Sequence, residues 1–127
     1  MFKKILVPLD GSALAAKILP QVVDLAKLSD AEVTLITVIS GATNLAGIAS
    51  PQVFEEAVAH EKRACQRYLE ATTQELQGQG VKVNFVCQEG VPAQTIIKYA
   101  GDNNYDLIAL ATHGKGEIAW VMGSTAE

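Results

Sequence analysis

Residues 107–116 read LIALATHGKG, a short apolar run that ends in a glycine-bearing loop. The run predicts a buried strand, and glycines at the carboxyl end of a strand let backbone N–H groups converge on an anion such as phosphate. Residues 117–122 then predict a helical turn, which Gly123-Ser124 follows. A helix start and Lys115 near this loop would both favour a phosphate. The alternative is a tight surface turn that binds no ligand.

The rest of the chain alternates apolar strands with amphipathic helices. Ser12 is a favourable N-cap for the first helix, and Pro20 predicts a kink inside it. The remaining spacing predicts strands at residues 3–8, 32–39 and 81–87, and helices that begin near residues 12, 53 and 92. This alternation predicts an α/β fold: an open, mostly parallel twisted sheet with helices on both faces.

The carboxyl edge of such a sheet is where ligands bind. Asp10 follows the first predicted strand, and Gly114 follows the last one. Because parallel strands end at the same edge, we expect Asp10 and Gly114 to face one crevice.

Composition narrows the function classes. The 127 residues suit one domain, and the net charge of -4 offers no basic excess for nucleic acid. No apolar run approaches the length of a membrane span, and the apolar start, Ile5-Leu6-Val7, is too short for a signal peptide. Cys65 and Cys87 lack metal-ligand spacing and are expected to be reduced thiols. These features predict a cytoplasmic protein.

Several short motifs, in their joint order and spacing, resemble the universal stress protein family over essentially the whole chain. They are Lys4 to Ser12, Leu35 to Val38, Gly90 to Ala93, Asp106 to Ile108, Thr112 to Gly114, and Gly123-Ser124. The resemblance implies a single domain over residues 1–127 with the Rossmann-like fold of the adenine nucleotide alpha hydrolases. It also implies binding of ATP, AMP or ADP, with Mg²⁺ accompanying ATP, and a homodimer.

The resemblance also implies a role for individual residues. Pro8, Leu9 and Asp10 would line the adenosine side, with Asp10 bonded to ribose or base, and Val38 would contact adenine. Further residues would contact the ribose-phosphate junction and the phosphates: Leu110 and Ala111 at the junction, then Gly114, Gly123, Ser124 and Thr125 at the phosphates.

Two departures from the family's nucleotide loop affect this assignment. The loop is written G-x-x-G, nine residues, then G-S or G-T. Ala111 stands at the first glycine position, and only eight residues separate Gly114 from Gly123. The loop is therefore one residue short, which would tighten it or draw the Gly123-Ser124 amides away from the phosphates.

Each assignment has a simpler alternative. Asp10 could only shape the turn into the first helix, and Ser124 could only be an N-cap. Lys115 could be a solvated charge, and Trp120 is expected in a core or an interface. Neither His60 nor His113 has neighbours that would make a triad or a metal site, so neither is assigned a catalytic role.

Three function classes remain open. The first is an adenine-nucleotide-binding regulator of the stress response, acting through ligand-dependent conformation or choice of partner. The second is a dimeric interaction module that binds no nucleotide, which the shortened loop favours. The third is an ATP-hydrolysing enzyme. It is the weakest, because no general base or Walker B-like carboxylate is evident, and it would give at most slow hydrolysis.

The end of the chain carries one further expectation. Family members continue past Gly-Ser through a helix into a fifth strand beside the fourth, whereas this sequence ends at Glu127. The fourth strand would then keep an unpaired apolar edge, which soluble proteins rarely leave open. We therefore expect either a longer native chain, truncated here at its C-terminus, or a second chain that covers this edge.

Overall fold

The computed structural model describes residues 2–41, 47–112 and 117–122, with side chains placed through residue 111. In chain order its elements are β1 Lys4–Pro8, α1 Ala13–Ala16, α2 Leu19–Ser29, β2 Glu32–Ile39, α3 Pro51–Gln77, β3 Lys82–Glu89, α4 Pro92–Asp102, β4 Leu107–Thr112 and β5 Glu117–Met122. Among the helices in these ranges, none is long and apolar enough to cross a membrane.

The sheet has the order β3-β2-β1-β4-β5. The neighbours β3, β2, β1 and β4 are parallel, which confirms the predicted α/β class. The chain moves outward from β1 to β3 and then returns to β4 on the other side of β1. The strand order therefore reverses at β1, and such a reversal opens a crevice at the carboxyl edge of the sheet.

The apolar core lies on both faces of this sheet. The larger cluster joins alternate β1 and β2 residues, such as Val7 and Leu35, to α2 and α3. The smaller cluster joins Leu6, Ile36 and Ile108 to α4. Helices therefore cover both faces, as the alternation of elements predicts.

Pro20 divides the first helical segment rather than kinking it. α1 ends at Ala16, and Pro20 lies in the first turn of a separate helix, α2. A proline has no N–H to donate, and the first turn of a helix is where that donor is not needed. The Ser12 N-cap is confirmed, because its hydroxyl oxygen accepts from the Ala15 N–H at 3.0 Å.

The prediction of a helical turn at residues 117–122 is wrong. This segment forms β5, which pairs antiparallel with β4, Thr112 opposite Glu117 and Leu107 opposite Met122. The edge of β4 that the sequence left open is therefore paired by the chain's own backbone. Ile118, Trp120 and Val121 are aromatic or β-branched residues that favour strands, and six residues are too few for helical periodicity to decide.

The prediction of two reduced thiols is also wrong. Cys65 of α3 and Cys87 of β3 form a disulfide across a Cα–Cα distance of 6.4 Å. The two residues are 22 positions apart in sequence. Only the packing of α3 against the sheet brings them together, so their spacing alone gave no sign of the bond.

Candidate functional site

A cavity of about 270 Å³ opens at the carboxyl edge of β1 and β2, beside the start of α4. Its lining is mostly apolar, with one carboxylate. The lining residues are Pro8, Leu9, Asp10, Ala15, Ile36, Val38, Pro92 and Ile96. An apolar cleft with few polar groups is the usual form of a small-molecule site.

The backbone of Leu9 forms the floor of the cavity by continuing past the end of β1. Its N–H donates to the Ile36 carbonyl at 2.8 Å, and its carbonyl accepts from the Thr37 hydroxyl at 2.8 Å. These two bonds hold the chain extended against β2. The apolar Leu9 side chain is therefore buried, while Asp10 emerges at the mouth of the cavity.

Asp10 is tied into a local turn. Its Oδ1 accepts from the Ser12 N–H at 2.9 Å. Hydrogen bonds from the Ser12 side chain and backbone hold the pKa of Asp10 below its ordinary value, so the carboxylate is charged at neutral pH. Gly11 between them has φ +87°, a conformation that side chains other than glycine rarely adopt. Asp10 thus shapes the turn, and as a charged acceptor it can also bind a hydroxyl or an amino group.

Tyr68 of α3 is a neighbour of this turn that sequence reasoning missed. Burial raises the pKa of Tyr68, the negative charge of Asp10 raises it further, and a hydrogen bond with the Gly11 backbone acts in the opposite direction. The phenol therefore stays neutral and lies against the Asp10-Gly11 turn. Tyr68 is three residues beyond Cys65 on the inward face of α3, and that helical spacing was the available signal.

The structure brings together four of the predicted adenosine-side residues, Pro8, Leu9, Asp10 and Val38. It adds Ile36 from β2 and Ala15, Pro92 and Ile96 from the flanking helices. Sequence reasoning predicted a helix that begins near residue 92, the helix that carries both Pro92 and Ile96. It did not connect them with the crevice, because that needs the position of α4 relative to β2.

The remaining predicted residues are not among the described lining of this cavity. Leu110 packs against the smaller core cluster and Ala111 against the larger one. Gly114, Gly123, Ser124 and Thr125 lie outside the described residues. In sequence, Gly123 to Thr125 follow Met122. Met122 lies beside Leu107, the residue of β4 farthest from the crevice.

A parallel sheet with helices on both faces and an apolar cleft at its carboxyl edge belongs to the doubly wound α/β class, in which ligands bind at that edge. Comparison with known proteins narrows that class. The chain matches the universal stress protein family over residues 1–127 and belongs to that family.

Two archaeal relatives illustrate the similarity. The chain is 32% identical over 130 residues to universal stress protein MJ0531 of Methanocaldococcus jannaschii, covering 100% of this chain and 75% of the relative. The solved structure of MJ0577 from the same organism is 30% identical with a TM-score of 0.77, over 98% of this chain and 85% of that one.

Two more distant structures of the same fold contain nucleotides. One is a universal stress protein in complex with cAMP, 16% identical with a TM-score of 0.59 over 86% of this chain and 71% of that one. The other is an Arabidopsis thaliana family member with AMP bound, 14% identical with a TM-score of 0.59 over 92% of this chain and 81% of that one. At these identities the likeness shows a shared fold.

Proposed function

We propose that this protein binds an adenine nucleotide, ATP or else AMP or ADP, in the crevice and acts as a stress-response regulator. The observation that carries the proposal is the apolar cavity with the charged Asp10 at its mouth. Val38 and Ile96 offer apolar surface to a flat base, and Asp10 offers an acceptor to a ribose hydroxyl. The nucleotides in the more distant relatives support the same ligand class.

The residues fit the adenosine part of such a ligand. Pro8, Leu9 and Val38 would contact the base, and Asp10 would accept from the sugar. Gly114 would approach the phosphates, because its loop begins where β4 reaches the carboxyl edge. Mg²⁺ would arrive with ATP on the phosphates. Binding would change the conformation or the partner of a cytoplasmic homodimer, and ATP hydrolysis would be slow at most.

A second candidate is a dimeric interaction module that binds no nucleotide, and β5 favours it. Gly123, Ser124 and Thr125 would reach the phosphates only if residues 117–122 stayed near the carboxyl edge. β5 instead carries Met122 back along β4 by about 17 Å, at about 3.4 Å per residue. The two candidates therefore differ in whether a phosphate cradle exists.

Calorimetry with ATP, AMP and adenosine, each with Mg²⁺, separates the candidates. If backbone amides contact the phosphates, ATP binds about tenfold or more tightly than adenosine, because hydrogen bonds to charged groups are worth about 1.5 kcal/mol or more. Equal affinity for ATP and adenosine would mean that the crevice holds the nucleoside alone. Absence of heat with all three ligands would favour the interaction module.

A further inference from the structure

The Cys65–Cys87 disulfide joins α3 to β3 on the face of the sheet that α2 and α3 cover. Cys65 is 6% exposed within the larger core cluster, whereas Cys87 is only partly buried. β3 is the edge strand of the described sheet, so no described strand covers its outer side. An ion pair between Lys62 Nζ and Glu89 Oε2, at 3.2 Å, links the same two elements. Cys87 is therefore the less buried of the two bonded cysteines.

Each of the two cysteines is connected to the Leu9–Gly11 segment through one neighbouring residue. On the strand side, Cys87 is paired in register with Thr37, whose hydroxyl donates to the Leu9 carbonyl. On the helix side, Tyr68 lies one turn beyond Cys65 and contacts the Asp10-Gly11 turn. The disulfide thus fixes the two elements, α3 and the edge of the sheet, between which the turn is held.

We propose that Cys65 and Cys87 are a reversible redox pair, opened by dithiol reductants, whose bond keeps the Leu9–Ser12 segment in its binding conformation. The link to ligand affinity rests on the proposed function, whereas the redox chemistry and the order of the turn do not. If the chain is cytoplasmic, as proposed, redox sensing is the usual role of such a disulfide, because stable structural disulfides are rare in that compartment.

The exchange balances in two steps. A thiolate of the dithiol attacks Cys87 Sγ, the Cys65–Cys87 bond breaks, and its electron pair leaves with Cys65 Sγ, which takes up a proton. In the second step, the other thiolate of the dithiol attacks the dithiol sulfur of the mixed disulfide. This releases the Cys87 thiolate, which is protonated in turn. The protein gains two electrons and two protons, and the dithiol becomes a disulfide. An oxidised dithiol closes the bond by the reverse steps.

The first test counts thiols on the full chain without denaturant. Reduced dithiothreitol should make two cysteines per chain available to alkylation, and oxidised dithiothreitol should return that number to zero. Intact mass after quenching and alkylation gives the number of alkylated cysteines. Closing this loop should raise the melting temperature by about 10 °C, and the Cys65→Ala/Cys87→Ala variant should melt like the reduced chain in either reagent. A bond that opens only after denaturation, or thiols that never close, would overturn the redox pair.

The second test measures the turn with and without ligand. Hydrogen exchange of residues 9–16 should be faster in the reduced chain, and ATP affinity should fall about fivefold or more, within the usual range of coupling between sites. The Cys65→Ala/Cys87→Ala variant is the control, since its exchange should not respond to dithiothreitol. Equal exchange in both redox forms would overturn the link to the turn. If neither form binds ATP while exchange still differs, the proposed nucleotide function fails and the redox switch stands.

Discussion

At the scale of single residues, Asp10 stabilises the local turn and is also positioned to bind a ligand. Its carboxylate accepts from the Ser12 N–H, and it stands at the mouth of an apolar cavity. Sequence reasoning predicted the position of Asp10 and the cap at Ser12, because a polar residue after an apolar strand and before a helix is a local signal. It left open whether Asp10 binds a ligand, and that question stays a prediction.

Removing only the charge of Asp10 tests the ligand role. In Asp10→Asn the amide oxygen still accepts from Ser12, so the turn is retained, but the charged acceptor for a sugar hydroxyl is lost. We expect ATP affinity to fall about tenfold, because a hydrogen bond to a charged group is worth roughly 1.5 kcal/mol or more. Calorimetry reads this change, and Asp24→Asn, on the exposed side of α2, should leave affinity unchanged. Equal affinity in both variants would assign Asp10 to the turn alone.

The pH dependence follows from the lowered pKa of Asp10. A depressed pKa means that the carboxylate's contribution to stability and binding is present above the ordinary value of 3.8. It is lost only as the pH falls through the lowered folded-state value. Titrations between pH 8 and about 5 should therefore show the same ATP affinity as far as Asp10 is concerned. A fall in affinity within that range that Asp10→Asn abolishes would contradict this assignment.

At the scale of elements, local signals predicted the strands and helices far better than their ends and partners. β2 was predicted with its observed bounds, Glu32–Ile39, since apolar and β-branched residues dominate it. Pro20 was predicted to kink one helix, whereas it lies in the first turn of a second helix, α2. β5 was missed because the open edge of β4 decides its structure, and that edge is a property of the sheet.

Blocking the pairing of β5 tests its role as the cover for β4. Successive N–H groups of an edge strand point to opposite sides, so Ala119→Pro combined with Trp120→Pro removes at least one donor toward β4. We expect hydrogen exchange in residues 107–112 to rise and light scattering to show self-association through the exposed edge.

Ala26→Pro is an unsuitable control because it would break α2. Leu28→Ser, at a side chain 77% exposed, is suitable and should change neither readout. Unchanged exchange in the double-proline variant would contradict the β4–β5 pairing.

At the scale of the whole molecule, a chain of two side-chain hydrogen bonds, one of them buried, links distant parts of the fold. The Tyr105 hydroxyl donates to Thr34 Oγ1 at 2.7 Å, and Thr34 donates to Asn84 Oδ1 at 2.6 Å. These residues belong to the segment before β4, to β2 and to β3. Burial raises the pKa of Tyr105, which keeps its phenol a neutral donor.

Tyr105→Phe should lower the free energy of unfolding by about 1 kcal/mol, because one buried hydrogen bond is lost while the ring packing is retained. Urea denaturation measures the change. Ile97→Gln, at an α4 side chain that is 63% exposed, is the control, and it should cost less. If Tyr105→Phe is as stable as the parent protein, the hydroxyl chain adds nothing to stability.

The whole-molecule arrangement was predictable in outline and not in detail. The alternation of strands and helices predicted a parallel sheet covered on both faces, and the short motifs predicted the family. The strand order, the disulfide and the lining of the cavity by Pro92 and Ile96 depend on contacts between elements far apart in sequence. Periodicity within a segment carries no information about those contacts.

Filling the cavity tests the central claim most directly. Val38→Trp places a large ring where the base is proposed to lie, while Ile97→Trp, at a position of α4 that is 63% exposed, is the control. Calorimetry with ATP and Mg²⁺ should show one site per chain in the parent and in Ile97→Trp, and at least a tenfold loss in Val38→Trp. Melting curves should show that both variants are folded. ATP binding that is absent from the parent, or undiminished in a folded Val38→Trp variant, would contradict a nucleotide site in this crevice.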